Sequence, residues 1–220
     1  MKQFKDIKKK IEWEQYYDPD FDWNDPTVYI DDNNNKLSEK FIREFQYKIN
    51  WEMLSSYQKL SEEFIREFKD KVNWNGISGF QTLSEDFIKE FKDRVNWHNI
   101  SISQNLSENF IREFKDKLYW DSISMYQKLS EDFIREFQDR VDLWYVSHYQ
   151  KLSEDFIREF KDKVDWEEIS RHQKLSEDFI REFKDKVDWE YISHYQKLSE
   201  EFKEEFKKEL NIYEDEYETI

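Results

Sequence analysis

The sequence predicts an all-α fold: an α-solenoid in which short two-helix repeats, α-helical and partly 3₁₀, form a superhelical array. Three observations predict it. A block of 23 residues recurs along the chain, each block contains an apolar stripe with helical spacing, and capping residues recur at two fixed places in the block. The 220 residues include only two Gly and two Pro, so few breaks interrupt this pattern.

The repeat begins with a Leu-Ser pair, which we use as positions 1 and 2 of a 23-residue numbering. We predict eight repeats over residues 37–213, preceded at 1–36 by a degenerate first repeat and an irregular N-terminal cap. Residues 214–220 are predicted to be an acidic C-terminal tail. The first residues of the eight repeats are Leu37, Leu60, Leu83, Leu106, Leu129, Leu152, Leu175 and Leu198.

The first half of each repeat predicts an amphipathic helix. Phe occupies positions 5 and 9 in all eight repeats, and position 13 is always Ile, Val or Leu. Positions 5, 6, 9 and 13 fall on one stripe at helical spacing. Ser at position 2 is a favoured N-cap, and the acidic residues that follow it suit the helix dipole.

The second half predicts another helix of about two turns. Position 14 is Asp or Asn in seven repeats, with Tyr119 as the exception, and position 15 is Trp in six. Position 18 is apolar and position 19 is Ser in the first seven repeats. Gln at position 22 lies on the same side of this helix, so we expect its amide to satisfy backbone groups where repeats join.

Residue changes at both ends of the array fit repeats that cover one another. In the last repeat Lys203 stands where other repeats have Ile, Glu204 replaces a base, and Asp215 stands where Ile is expected. Terminal repeats of a stack need such a polar outer face. The residues that indicate a degenerate repeat at the other end are Phe4, Ile7, Ile11 and Trp13.

One face of the second helix varies between repeats, namely positions 16, 17, 20 and 21. Its Tyr, Met, His and Ile are typical of contact surfaces, so we interpret it as a partner-binding face. The alternative is drift on an unconstrained solvent face. The predicted contact residues are Met53, Ser56, Tyr57, Asn99, Ile102, Met125, Tyr126, Tyr145, His148, Tyr149, Glu168, Arg171, Tyr191, His194 and Tyr195.

The first helix repeats the same charges, with Glu at position 3 and Arg at position 7 placed as i,i+4 partners. We interpret this face as solvated, with a charge lattice that recognises something periodic as the alternative.

Composition and charge narrow the function. The net charge of −16 disfavours direct nucleic-acid binding, which needs cations facing phosphates. Without Cys there are no disulfides, and without a long apolar run we expect no membrane association and an intracellular location. His148 and His194 share position 20 but lie two repeats apart, too far for one metal. We therefore predict no catalytic residues, no metal and no cofactor.

The motif LSExFIxxFxxxVxWxxISxxQ, which recurs over residues 37–213, resembles short helical tandem-repeat proteins of large DNA viruses and phages. The resemblance implies a viral or phage origin and carries no activity or site residues. The general plan is also similar to short α-solenoids of other sequence.

These observations lead to one preferred function and two alternatives. The preferred function is a non-enzymatic protein-binding solenoid, encoded by a virus or phage, that sequesters or inhibits a host factor in the host cytoplasm. The first alternative is an acidic DNA mimic that blocks a nucleic-acid-binding protein. The second is a sponge for a small ligand such as a nucleotide. A protein partner is expected, and the oligomeric state stays open.

Overall fold

A computed structural model describes residues 22–25, 28 and 37–211 of the chain. Their regular secondary structure is helical and includes no strand, which confirms the predicted all-α class. The chain divides into two compact units, residues 1–104 and 105–220. The helices of the first unit are α1 (Glu39–Glu44), α2 (Trp51–Tyr57), α3 (Glu62–Glu67), α4 (Trp74–Phe80), α5 (Glu85–Glu90) and α6 (Trp97–Ser103).

The second unit continues the same alternation of six-residue and seven-residue helices. Its helices are α7 (Glu108–Glu113), α8 (Trp120–Tyr126), α9 (Glu131–Glu136), α10 (Leu143–Tyr149), α11 (Glu154–Glu159), α12 (Trp166–His172), α13 (Glu177–Glu182), α14 (Trp189–Tyr195) and α15 (Glu200–Glu205). Within each unit the second helix of one repeat packs on the second helix of the next: α2 on α4 and α4 on α6, then α8 on α10, α10 on α12 and α12 on α14. Each unit is therefore a stack of two-helix repeats, as the sequence predicted.

Serine caps every first helix, as predicted. In the second repeat the Ser61 side chain accepts a hydrogen bond from the backbone N–H of Phe64, and Glu62 and Glu63 occupy the first turn. The same bond forms in all eight repeats. Position 2 thus fixes where each first helix begins.

The first helix is shorter than its apolar stripe, because it ends before position 9 while the stripe runs to position 13. Phe68 at position 9 leaves helical geometry with φ −109 and ψ 25. A continuing helix would join the N–H of Asn73 to the carbonyl of Lys69. Instead Lys69 accepts the indole N–H of Trp74 at 3.0 Å, and Asn73 donates to the Ser55 hydroxyl of the preceding repeat at 2.9 Å. The helix has already ended at Glu67, where the N–H groups of Lys71 and Val72 close a turn on the Phe68 carbonyl at 2.8 and 3.1 Å, and the two diverted groups keep helical bonding from resuming after it.

The second helices have seven residues, which agrees with the predicted two turns. Asn73 caps α4 by accepting from the N–H of Gly76, and Asn or Asp caps the other second helices in the same way, except that Tyr119 makes no side-chain cap bond to α8. At the other end Gln81 is extended, with φ −92 and ψ 152, and leads the chain into the next Leu-Ser.

Aromatic rings join consecutive repeats in the core. Phe64 is fully buried and its ring centroid lies 4.6 Å from that of Phe68. Trp51 of the preceding repeat packs on this pair, 5.0 Å from the Phe68 ring. Ile65 is also fully buried, so the predicted stripe is the surface that one repeat presents to its neighbours.

The glutamine at position 22 has the structural role expected from the sequence. The Gln173 amide nitrogen donates to the carbonyls of Ser147 and Gln150, each at 2.8 Å, and its oxygen accepts the N–H of Leu152 at 3.0 Å. One buried side chain thus satisfies two carbonyls of the preceding repeat and the first N–H of its own repeat. The set recurs at Gln81, Gln104 and Gln150.

The charges of the first helices also join repeats, which the sequence did not predict. The expected pair within a helix is loose, with 3.6 Å between Arg66 and Glu62. A closer pair joins Arg66 to Glu90 of the next repeat at 2.8 Å, and the guanidinium lies 4.9 Å from the centre of the Phe87 ring. The hydrogen bond that Arg66 donates to Glu90 raises the pKa of Arg66. The repeated charges therefore connect repeats.

Some predictions concern residues outside the described ranges, namely the degenerate N-terminal repeat with Phe4, Ile7, Ile11 and Trp13, the acidic tail and Asp215. Lys203 is described, and its side chain is 41% exposed at a position where Ile is fully buried in the other repeats. Of the helices within residues 37–211, none is long and apolar enough to cross a membrane.

Candidate functional site

Large aromatic side chains at position 21 of the repeat face solvent. In the first unit they are Tyr57, 50% exposed, and Phe80, 71% exposed. In the second unit they are Tyr126, Tyr149 and Tyr195, which are 52%, 44% and 56% exposed. We call these five residues the position-21 aromatics. Ser103 and His172 occupy the same position in the remaining two repeats that have a second helix.

Positions 17 and 20 differ from position 21 because they contact each other across consecutive repeats. The His148 ring lies 2.7 Å from the Glu168 carboxylate, and the Arg171 guanidinium lies 5.3 Å from the centre of the Tyr191 ring. Where both residues of such a pair have small side chains, as Ser56 and Gly76 do, the two helices lie close together. A Cβ added at Gly76 would lie 2.9 Å from the Ser56 hydroxyl.

The structure accordingly divides the predicted contact residues into two groups. Half-buried side chains, mostly at positions 17 and 20, are Met53, Ser56, Asn99, Ile102, Met125, Tyr145, His148 and Tyr191, and Glu168 is buried. The side chains that solvent reaches freely are Tyr57, Tyr126, Tyr149, Arg171, His194 and Tyr195. Contacts between neighbouring helices therefore account for some of the variation at positions 17 and 20, although Arg171 and His194 at position 20 are exposed.

Packing does not explain the aromatic residues at position 21. The α6 helix has Ser103 there and keeps the same length, N-cap and C-cap geometry as α4, which has Phe80. The fold therefore accepts a small polar residue at this position. Five exposed aromatic residues in seven repeats point to a use outside the fold.

Sequence reasoning missed three residues of this face. Phe80 and His172 occupy position 21, so the register that selected the four tyrosines also selects them. Trp144 is 43% exposed because the fifth repeat has Leu143 in the usual place of Trp, which moves the indole to the next position. Its ring centroid lies 5.5 Å from that of His148.

One pair of neighbouring repeats brings two histidines and a carboxylate together. Glu168 Oε2 lies 2.7 Å from His148 Nδ1 and 3.3 Å from His172 Nε2, and the two imidazole centroids are 4.0 Å apart. The Glu168 side chain is only 8% exposed. Burial, followed by the neighbouring His148, lowers the pKa of His172. His172 is at position 21, so the comparison of the two position-20 histidines, His148 and His194, did not reveal this set.

An open cleft of about 510 Å³ adjoins the two histidines. Its lining consists of His148, Tyr149, Gln150, Lys151, Leu152, His172, Gln173 and Lys174. The cleft therefore has both an aromatic residue of position 21 and ionisable groups at its wall.

No protein-family model, curated protein or solved structure matches the chain.

Proposed function

We propose that this protein is a non-enzymatic repeat scaffold that binds a protein partner through the position-21 aromatics. The observation that carries the proposal is the exposure of Tyr57, Phe80, Tyr126, Tyr149 and Tyr195 at one position of the repeat. Aromatic side chains are enriched at protein interfaces, and Tyr is among the residues that contribute most to binding.

The exposed rings favour partner binding because binding removes their apolar surface from water. Each exposed ring holds apolar surface that folding leaves in water, and a partner removes that surface when it binds. Ser103 at the same position supports this argument, because it indicates that the fold does not need the ring. Loss of one such anchor typically costs about 1 kcal/mol or more of binding free energy.

The charge of the chain favours a partner with a basic surface. The net charge is −16, and opposite charge on the partner would speed association in a salt-dependent way. Many acids of the first helices bind arginine, as Glu90 binds Arg66. This pairing divides the negative charge into short segments, which supports protein binding over mimicry of the continuous phosphate charge of DNA.

The finer proposal is that a virus or phage encodes the chain and that the partner is a host factor sequestered in the host cell. Its support is the resemblance of the repeat motif to viral and phage repeat proteins, together with the exposed aromatic residues.

Affinity capture with serine variants tests the proposal. The tagged full-length chain is compared with a Tyr57→Ser/Phe80→Ser variant and a Tyr126→Ser/Tyr195→Ser variant, each of which copies the natural Ser103. We expect a partner captured by the wild type to bind at least one of these variants about tenfold more weakly, measured afterwards with the purified partner.

A matched control carries Asp139→Ser and Asp185→Ser, which are exposed residues in the turns after first helices. Circular dichroism confirms that all variants keep the helical content of the wild type. Equal affinity of the wild type, both aromatic variants and the control for every captured partner contradicts the proposal.

A further inference from the structure

Among the described residues, one set of three metal-ligating side chains has all its ligand atoms close enough to bind a single ion. His148 Nδ1, a Glu168 carboxylate oxygen and His172 Nε2 all lie within 4.8 Å of one another. We propose that His148, Glu168 and His172 bind a divalent transition metal of the zinc class, with one coordination position open to the cleft beside them.

The repeat places these ligands without distorting the fold. Glu168 and His172 are four residues apart on α12 and therefore share a face of that helix. His148 is at position 20 of the preceding repeat, and position 20 also lies against position 17 of the next second helix where Gly79 adjoins Asn99 and Arg171 adjoins Tyr191. Glu168 occupies that position 17.

Among the described residues of each unit, the same three positions hold no comparable set elsewhere. The corresponding residues at position 20, and at positions 17 and 21 of the next repeat, are Ser56, Gly76 and Phe80; Gly79, Asn99 and Ser103; Met125, Tyr145 and Tyr149; and Arg171, Tyr191 and Tyr195. The three ligands are therefore an addition at one place in an otherwise repetitive structure, and the repeat itself does not require them.

The distances fit a tetrahedral ion after small side-chain movements. Bonds of about 2.0–2.2 Å from zinc to nitrogen and oxygen put neighbouring ligand atoms about 3.4 Å apart. His172 Nε2 and Glu168 Oε2 are 3.3 Å apart, and His148 Nδ1 is 2.7 Å from that oxygen. The His148 side chain is 24% exposed, so it can move to open the shorter contact.

The chemistry of the buried carboxylate also supports a cation. A carboxylate removed from water needs hydrogen bonds or positive charge nearby. Glu168 is buried between the two imidazoles, with its Oε2 2.7 Å from His148 Nδ1 and 3.3 Å from His172 Nε2. Neutral imidazole is the form that binds metal.

Three protein ligands leave one tetrahedral position for water or another ligand. The cleft of about 510 Å³ adjoins His148 and His172, and Lys151 and Lys174 also line it. An ion here would therefore be reached from solvent, as in zinc sites that keep an open position.

Titration of the metal-free full-length chain with Zn²⁺ alone tests the site, with Co²⁺ as a spectroscopic probe. We expect one ion per chain and the visible d–d absorption of tetrahedral cobalt. His148→Asn, Glu168→Gln and His172→Asn should each weaken binding by at least about tenfold. The matched control, His98→Asn with His194→Asn, removes the two histidines outside the site and should bind like the wild type.

The acid side of the titration gives a second readout. Protons compete with the metal for imidazole nitrogens, and Arg171, Lys151 and Lys174 are the other charged groups nearby. Affinity should fall as the pH is lowered from 7.5 to 5.5. Equal affinity of the wild type and the three ligand variants, or loss of binding only in the His98/His194 control, would overturn the assignment. The outcome is independent of partner capture, whose variants leave these three residues intact.

Discussion

At the scale of the residue, one glutamine per repeat shows how a single side chain connects neighbouring repeats. Gln173 is 5% exposed and satisfies two carbonyls of the preceding repeat and the N–H of Leu152, the first residue of its own repeat. The segment that it supports, between α10 and α11, belongs to neither helix. The Gln173 side chain therefore provides the backbone hydrogen bonds that a helix or a sheet usually provides.

Replacing this glutamine should be costly. Gln173→Leu keeps a similar volume but leaves the carbonyls of Ser147 and Gln150 and the N–H of Leu152 buried without these bonds. We expect the free energy of unfolding to fall by about 2–5 kcal/mol, measured by urea denaturation at pH 7.

The control for this prediction is Gln138→Leu. Gln138 is exposed and its side-chain oxygen accepts a hydrogen bond from the Lys163 ammonium at 2.8 Å, so its loss should change stability by less than about 0.5 kcal/mol. Similar midpoints for the two variants would mean that the position-22 amide does not hold the repeats together.

At the scale of the element, capping decides where helices begin. The first-turn bonds of Ser61 and Asn73 were predicted because Ser, Asn and Asp at a helix start have a local reason to be there. The end of the first helix was not predicted in the same way. A turn closed on the Phe68 carbonyl follows that end, and the Trp74 indole and Ser55 of another repeat then take the groups that would let the helix resume.

The α8 helix should gain stability from a better cap. Tyr119 precedes α8, makes no side-chain cap bond and is 52% exposed. Asn in the same register caps α4 and α6. We expect Tyr119→Asn to raise the free energy of unfolding by about 0.5–1 kcal/mol, seen as a higher urea midpoint.

Tyr119→Ala separates capping from loss of the tyrosine ring, since Ala removes the ring but provides no acceptor. We expect it to give no gain. If Ala stabilises the chain as much as Asn does, the cap explanation for position 14 is incorrect.

At the scale of the whole molecule, the register between repeats is what sequence reasoning could not supply. The 23-residue period follows from aligning the repeats, and the buried Phe pair and the position-22 Gln follow from the residues that the repeats share. The contacts of Arg66 with Glu90 and of His148 with Glu168 depend on which positions of two neighbouring helices face each other. The period does not show which positions face each other. The sequence therefore predicted a solvated charge face on the first helix and a single partner-binding face at positions 16, 17, 20 and 21.

The periodic contacts predict that a whole repeat can be removed. Deleting residues 175–197 joins Lys174 to Leu198 and keeps the register of both sides. Arg158, which binds Glu182, should then bind Glu205, and the Trp166 ring should pack on Phe202 and Phe206 as Trp189 does. Because each repeat contacts only its neighbours, we expect helical content per residue to be retained with cooperative unfolding at a somewhat lower urea concentration.

A deletion that ignores the period is the control. Removing residues 175–186 discards the first helix and its turn, so Val187 would follow Lys174 and two second helices would become consecutive. The Trp166 ring would lose Phe179 and Phe183, which lie 6.2 and 4.9 Å from it. We expect this variant to lose the cooperative transition of the second unit. A whole-repeat deletion that unfolds while the half-repeat deletion stays cooperative would refute the nearest-neighbour account of this array.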